Sequence, residues 1–253
     1  MSEYQLDGQD LDDPQGRWRL TNTTTLPNWG APRLINIEVP GRTGFLPTVP
    51  TSADPITITL GLLVTDSDHG RSGLDTNLQA LAAIVRRHDR LLTLTHTLED
   101  GAVRETLVRL SGAIEPEFYP AGSAAVLTVV LEAPSGLWWD VEETVAPSTD
   151  LSPLDGGAMP IPDAVLRVRP SAQRVIIQDV ASGDTLTWEG SLVSNGTLTI
   201  EPAKFAATWS NGTDATKGLS LPAHGFHLTP DSIGHHALTV QGGVVEVTAR
   251  RCF

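Results

Sequence analysis

The sequence predicts a mainly β chain of two domains, with one helix packed on the first. Three observations carry this. Most apolar residues fall in short runs that alternate with polar ones, the pattern of half-buried strands. Only one stretch, Ser72 to His88, has helical spacing. A proline-rich stretch then separates a first segment with its own core pattern from a second one without any helix.

Residues 17–25 read as an early strand, broken afterwards by Pro27, Asn28, Gly30 and Pro32. From Leu34 to Val39, Ile35, Ile37 and Val39 alternate with Asn36 and Glu38. That strand ends at Pro40-Gly41-Arg42-Thr43-Gly44, a turn in which the glycines can take positive φ. Ile56 to Val64 is the cleanest strand, with Ile56, Ile58, Leu60, Leu62 and Val64 on one face. In the helix, Leu74, Leu78, Leu81, Ile84 and Val85 form one stripe at a period of about 3.6 residues. Ser72 with Asp75 reads as its capping box, and Arg86, Arg87 and His88 as its last turn, suited to the helix dipole. Asp75, Thr76, Asn77 and Gln79 should face water. A one-sided helix must bury its stripe, and flanking strands make that partner a sheet.

Leu91–Leu98 and Ala102–Leu110 read as two strands joined by an Asp100-Gly101 hairpin. Ala124–Ala133 is almost continuously apolar, which predicts a central strand buried on both faces. It leads into Pro134-Ser135-Gly136 and then Leu137-Trp138-Trp139-Asp140. The stretch that follows carries Pro147, Pro153, Pro160, Pro162 and the Gly156-Gly157 pair. The expected division is a first domain over 1–145, a linker over 146–163 and a second domain over 164–253.

The second domain reads as a β-sandwich with strands near 164–169, 174–180, 185–188, 197–201, 206–209, 225–228, 237–241 and 244–249. Asn195-Gly196 and Gly242-Gly243 read as its hairpin turns.

Composition excludes several functions. The 253 residues hold 30 acidic and 17 basic side chains, a net charge of −13. That opposes nonspecific binding to nucleic acid or to an anionic membrane surface, both of which need a cationic excess. No apolar run is long enough to span a bilayer, so no membrane insertion is expected. The acidic, polar N-terminus is unlike a secretory leader. The single cysteine, Cys252, allows no internal disulfide and no thiolate metal cluster, which fits folding in a reducing cytoplasm.

No motif for catalysis stands out. Phosphate-binding glycine loops and the Gly-x-Ser-x-Gly elbow are absent. Glu115 and Glu117 would share one strand face, whereas a glycosidase pair faces itself across a cleft, so they read as edge-strand charge. His224, His227, His235 and His236 cluster without a carboxylate or cysteine at familiar metal-ligand spacing. Trp18, Trp138, Trp188 and Trp209 read as core or interface anchors, with stacking on sugar rings as the alternative. The expectation is no enzyme, no cofactor and no metal.

The order of these features resembles one family. A strand, the Pro40–Gly44 turn, the alternating strand 56–64, one helix over 74–88, the hairpin 91–110 and the ending Ala133-Pro134…Trp138-Trp139-Asp140 occur in sequence. This is similar to the distal tail proteins, or tail hubs, of bacteriophages with long non-contractile tails. The resemblance implies an N-terminal β-sandwich or split barrel with one packed helix, followed by a galectin-like β-sandwich. It implies a non-enzymatic virion protein at the tail tip, made in the cytoplasm of the host bacterium. It further implies a ring of six copies, with the tail tube, the tape-measure protein and the tail-tip or receptor-binding proteins as partners and DNA only passing through the channel. The acidic balance suits a channel wall that must not retain DNA. Arg42, Asp100, Trp138 and Trp139 are the candidate interface residues. The alternative is a lectin-like β-sandwich adaptor that binds carbohydrate in host recognition.

Overall fold

The computed structural model describes residues 3–25, 30–31, 37–38, 43, 45–46, 53–120 and 122–253. The chain divides into two compact units, Met1–Trp138 and Trp139–Phe253.

The first unit is one curled sheet with a helix against it. Its strands run in the order Gln9–Asp10, Tyr4–Leu6, Leu92–Thr97, Val103–Leu110, Ala124–Ala133, Ile56–Thr65 and Trp18–Leu20, with Glu117–Phe118 also on the Ala124–Ala133 strand. All the pairings are antiparallel. Val103–Leu110 pairs along its length with Leu92–Thr97, but meets Ala124–Ala133 only at Arg109 and Leu110. The sheet therefore splays there into two halves, which is the split barrel expected. Its core is the inward row Ile56, Ile58, Leu60, Leu62 and Val64 with Leu127, Val129 and Leu131 from the paired strand.

The helix covers Gly70–Val85 and packs on these two strands through Leu74, Leu81 and Val85. Its start differs from the expected capping box. The Asp66 carboxylate accepts the amides of Asp68 and His69 at 2.9 and 2.7 Å, so the turn ahead of the helix is organised by Asp66 rather than Ser72. Those amides hold the Asp66 carboxyl below its usual range. Asp66 lies so close to Gly73 that a Cβ there would meet Oδ2 at 2.1 Å. Asp75 instead pairs with Arg71 at 3.0 Å. Arg86, Arg87 and His88 follow the last turn instead of forming it. Asn77 is buried, contrary to the expected polar face, and its amide nitrogen donates to the Thr65 carbonyl at 2.8 Å.

Two strand expectations change. Ala124–Ala133 is central but buried on one face only; Thr128 on the other face is exposed, as suits an antiparallel sheet with one open side. The early strand shortens to Trp18–Leu20, because the hydroxyls of Thr24 and Thr25 take over the ladder, bonding the backbone of Gly61 and Thr59. The hairpin at Asp100-Gly101 forms with a three-residue loop: the Gly101 amide donates to Leu98 and Gly101 takes φ 86°. Ile37–Glu38 pairs with Phe45–Leu46. Most of the Pro40–Gly44 turn between them, Arg42 included, lies outside the described residues.

The second unit is a two-sheet sandwich. One sheet has the order Thr144–Pro147, Gly243–Ala249, Val165–Pro170, Leu198–Glu201, Ala206–Trp209; the other has Leu219–Ser220, Thr185–Glu189, Arg174–Asp179, Leu238–Gln241. Leu166, Val168, Ile200, Val245 and Val247 of the first sheet and Val175, Ile177, Leu186 and Trp188 of the second are buried between them. Gly242-Gly243 makes no hairpin: the strand before it pairs in one sheet and the strand after it in the other. Asn195-Gly196 is a turn, but Leu192 and Val193 ahead of it are not in a strand. Residues 225–228 supply only the bridge of Leu228 to Ile161.

The expected linker 146–163 is part of this unit. Its first residues complete the strand Thr144–Pro147 on Gly243–Ala249, and Ala146, Leu151, Leu154 and Ile161 are buried. The prolines fit because this strand is at the sheet edge and Pro153 opens a short 3-10 turn, positions where no ladder N–H is needed.

Candidate interface

The four residues singled out from sequence occupy different settings. Asp100 is exposed at the tip of its hairpin, where its carboxylate accepts the Ala102 amide at 2.9 Å. Trp138 is core, only 2% exposed, so it offers no surface to a partner. Its ring meets His96 edge-on at 6.1 Å, and His96 in turn stacks on Tyr4 at 4.5 Å. Burial, with the nearby Glu3 charge, pushes the Tyr4 phenol up to about 12. Trp139 is half-buried in the second unit, bridged to Cys252, with the Arg250 guanidinium 5.9 Å from its ring. Burial pushes the Cys252 thiol up to about 12. Beside them Asp140 accepts from Arg251 at 2.5 Å. Arg42 lies outside the described residues.

The sugar-stacking alternative loses its platforms. Trp18, Trp188 and Trp209 are buried, at 3%, 1% and 5% exposure. The Trp188 indole N–H donates to the Ala215 carbonyl at 3.1 Å. The five-stranded sheet of the sandwich exposes a groove of mixed character, with Arg167, Arg169, Thr199 and Glu246 beside Pro147 and Val244.

The four histidines do not converge on one point. His224 pairs with Asp184 at 2.8 Å, while His235 and His236 lie near Asp155 at 3.9 and 3.7 Å. Among the described residues no group of three or more His, Cys, Asp or Glu side chains could hold a metal ion. No helix among them is long and apolar enough to cross a membrane.

The surface that sequence reasoning missed is 115–120 in the first unit. Every residue of Glu115-Pro116-Glu117-Phe118-Tyr119-Pro120 is exposed, with Phe118 at 43% and Tyr119 at 52%. Glu115 and Glu117 border an open groove with Val126 and Thr128. The Arg71 guanidinium lies 3.7 Å over the Phe118 ring. Two prolines flanking adjacent aromatics without period were the available signal.

The fold of this chain, a curled sheet carrying a helix followed by a two-sheet sandwich, is similar to that of a solved phage protein. That structure is the Dit protein of phage SPP1, described as a paradigm of the hub adsorption apparatus in phages infecting Gram-positive bacteria. It is similar at a TM-score of 0.68 and 14% identity, over 99% of this chain and 98% of that one. The baseplate of phage p2 in its activated conformation aligns over 98% of this chain and 97% of that one, at a TM-score of 0.42 and 12% identity. No family model matches the sequence. No curated protein matches it either.

Proposed function

We propose that this chain is a tail-hub subunit of a bacteriophage with a long non-contractile tail, and that it acts as a scaffold rather than an enzyme. The observation that carries the reading is the end-to-end likeness to the SPP1 hub protein, which spans both units in the same order. In this reading six copies form a ring at the tail tip. The ring joins the tail tube and tape-measure protein on one side to tip and receptor-binding proteins on the other, and DNA passes through its channel. The net charge of −13 suits that passage, since an acidic wall gives phosphates nothing to bind. The place of action is the virion tail tip, after synthesis in the host cytoplasm.

The test is reconstitution. Purified chain is mixed with the tail-tube and tail-tip proteins of the same phage, then sized by light scattering and imaged by negative stain. A six-membered ring bound to tube or tip is the expected product. A chain that stays monomeric with every partner present removes the hub reading.

A further inference from the structure

Two exposed patches of opposite charge stand at opposite ends of the helix Gly70–Val85. Beyond its C-terminal end, Arg86, Arg87 and His88 follow one another, all exposed. Among the described residues their side chains have no hydrogen-bond or ion-pair partner, whereas the next cation, Arg90, is held by Asp7 at 2.5 Å. At the N-terminal end, the contact of Arg71 with Phe118 places the exposed 115–119 segment beside the first helical turn. There Glu115 and Glu117 also have no side-chain partner among the described residues, and Asp66 and Asp68 lie in the loop just before the helix. A helix of 16 residues holds these two ends about 24 Å apart.

Helix-dipole complementarity accounts for cations after a helix and for acids before one. It does not account for Glu115 and Glu117, which belong to another segment, nor for two exposed aromatic rings next to them. Phe118 and Tyr119 stay 43% and 52% exposed although Arg71 covers one face of the Phe118 ring; exposed aromatics suit an interface, and arginine is the cation that both stacks on such rings and forks onto neighbouring carboxylates.

We propose that Arg86, Arg87 and His88 of one copy seat on Glu115, Glu117, Phe118 and Tyr119 of the next. The two patches are complementary to each other, so a second copy can meet both. A two-fold contact would use up both patches of each copy in a closed dimer. A head-to-tail contact leaves one patch of either sign free on each copy, which is the contact that generates rings. This rests on the ring reading above and names the surface that would build it.

The experiment uses two full-length double variants. Arg86→Glu with Arg87→Glu makes both ends acidic; Glu115→Arg with Glu117→Arg makes both ends basic. All four positions are exposed, and equal melting temperatures to wild type verify folding. Self-association is read by sedimentation and light scattering over a range of salt. Each variant alone should associate at least about tenfold more weakly than wild type. An equimolar mixture should assemble into closed species larger than a dimer, with the two variants in equal number by native mass spectrometry, more weakly as salt rises; assembly that stops at one copy of each overturns the head-to-tail contact. A mixture that stays monomeric, or variants that self-associate as wild type does, overturns the interface. If the swapped variants still form rings on tube or tip proteins, the interface fails and the hub reading stands. If the mixture forms such closed species but no combination engages tail proteins, the interface stands and the hub reading fails.

Discussion

Trp188 and Trp209 meet edge to face, ring centres 5.4 Å apart at 86°, one from each sheet of the sandwich. The pair joins the two layers where the strands Thr185–Glu189 and Ala206–Trp209 end. Trp188 has its own hydrogen bond, to Ala215, so its burial leaves no polar atom stranded. Trp188→Ala should cost the second unit about 3–5 kcal/mol, the usual range for emptying a buried large aromatic site. Trp188→Phe should cost less. Thermal unfolding of the 139–253 fragment reads both, and an unchanged melting point would mean the sheets do not depend on this contact.

Gly242 is the point where the chain leaves one sheet for the other. Its φ is 82°, and a Cβ there would meet the Arg174 carbonyl oxygen at 2.1 Å. Gly242→Ala should therefore lose more than about 1 kcal/mol, the left-handed penalty alone, with the clash added. Urea unfolding of the variant measures it. The control is Gly183→Ala, also at positive φ but with open space at its Cβ; it should cost clearly less.

The second unit begins at Trp139, so truncation should discriminate sharply. A fragment of 139–253 should fold cooperatively. One of 164–253 should not, because it lacks the edge strand Thr144–Pro147 and the buried Leu151, Leu154 and Ile161. Circular dichroism and heat unfolding of both fragments check this. Cooperative folding of the shorter one would restore 146–163 to the status of a linker.

Stability of the second unit should fall in mild acid. The His236 side chain is fully buried, and burial outweighs the attraction of Asp155, Asp179 and Asp231 and holds its pKa below the ordinary 6.5. His227 is shifted the same way, chiefly by burial. As pH drops, the unfolded chain takes up protons before the folded one does. The stability is thus fully present above about pH 6.5 and declines below it. Urea unfolding at pH 7.5, 6.5 and 5.5 should show that slope, and His236→Gln should flatten it. An equal slope in the variant would assign the acid sensitivity to other groups.

Much of the fold was legible because its signals are local. Ile56–Thr65, Val103–Leu110 and Arg174–Asp179 are within a residue or so of their expected ends, since alternation along a strand needs no distant information. The helix stripe was legible for the same reason, with Leu74, Leu81 and Val85 all buried. The candidate interface was far less legible. Trp138 has the composition of an anchor, but surface and core tryptophans look alike in sequence, and here the ring is spent on His96. Glu115 and Phe118 carry no period at all.

What the sequence determined by itself is the alphabet of elements: which residues can alternate, which can form a helix, and where glycine must turn the chain. What tertiary structure decided is their partners. Gly242-Gly243 became a crossing between sheets because Leu238–Gln241 found Arg174–Asp179 while Gly243–Ala249 found Val165–Pro170. The 146–163 stretch joined the sandwich because its edge strand pairs with residues about a hundred positions away, from Glu246 to Ala249. Ser72 lies inside the helix, which starts earlier, at Gly70, after a turn held by the Asp66 carboxylate. The first two turn on hydrogen bonds and burial between segments remote in the chain, and no local pattern of side chains encodes which remote segment will arrive.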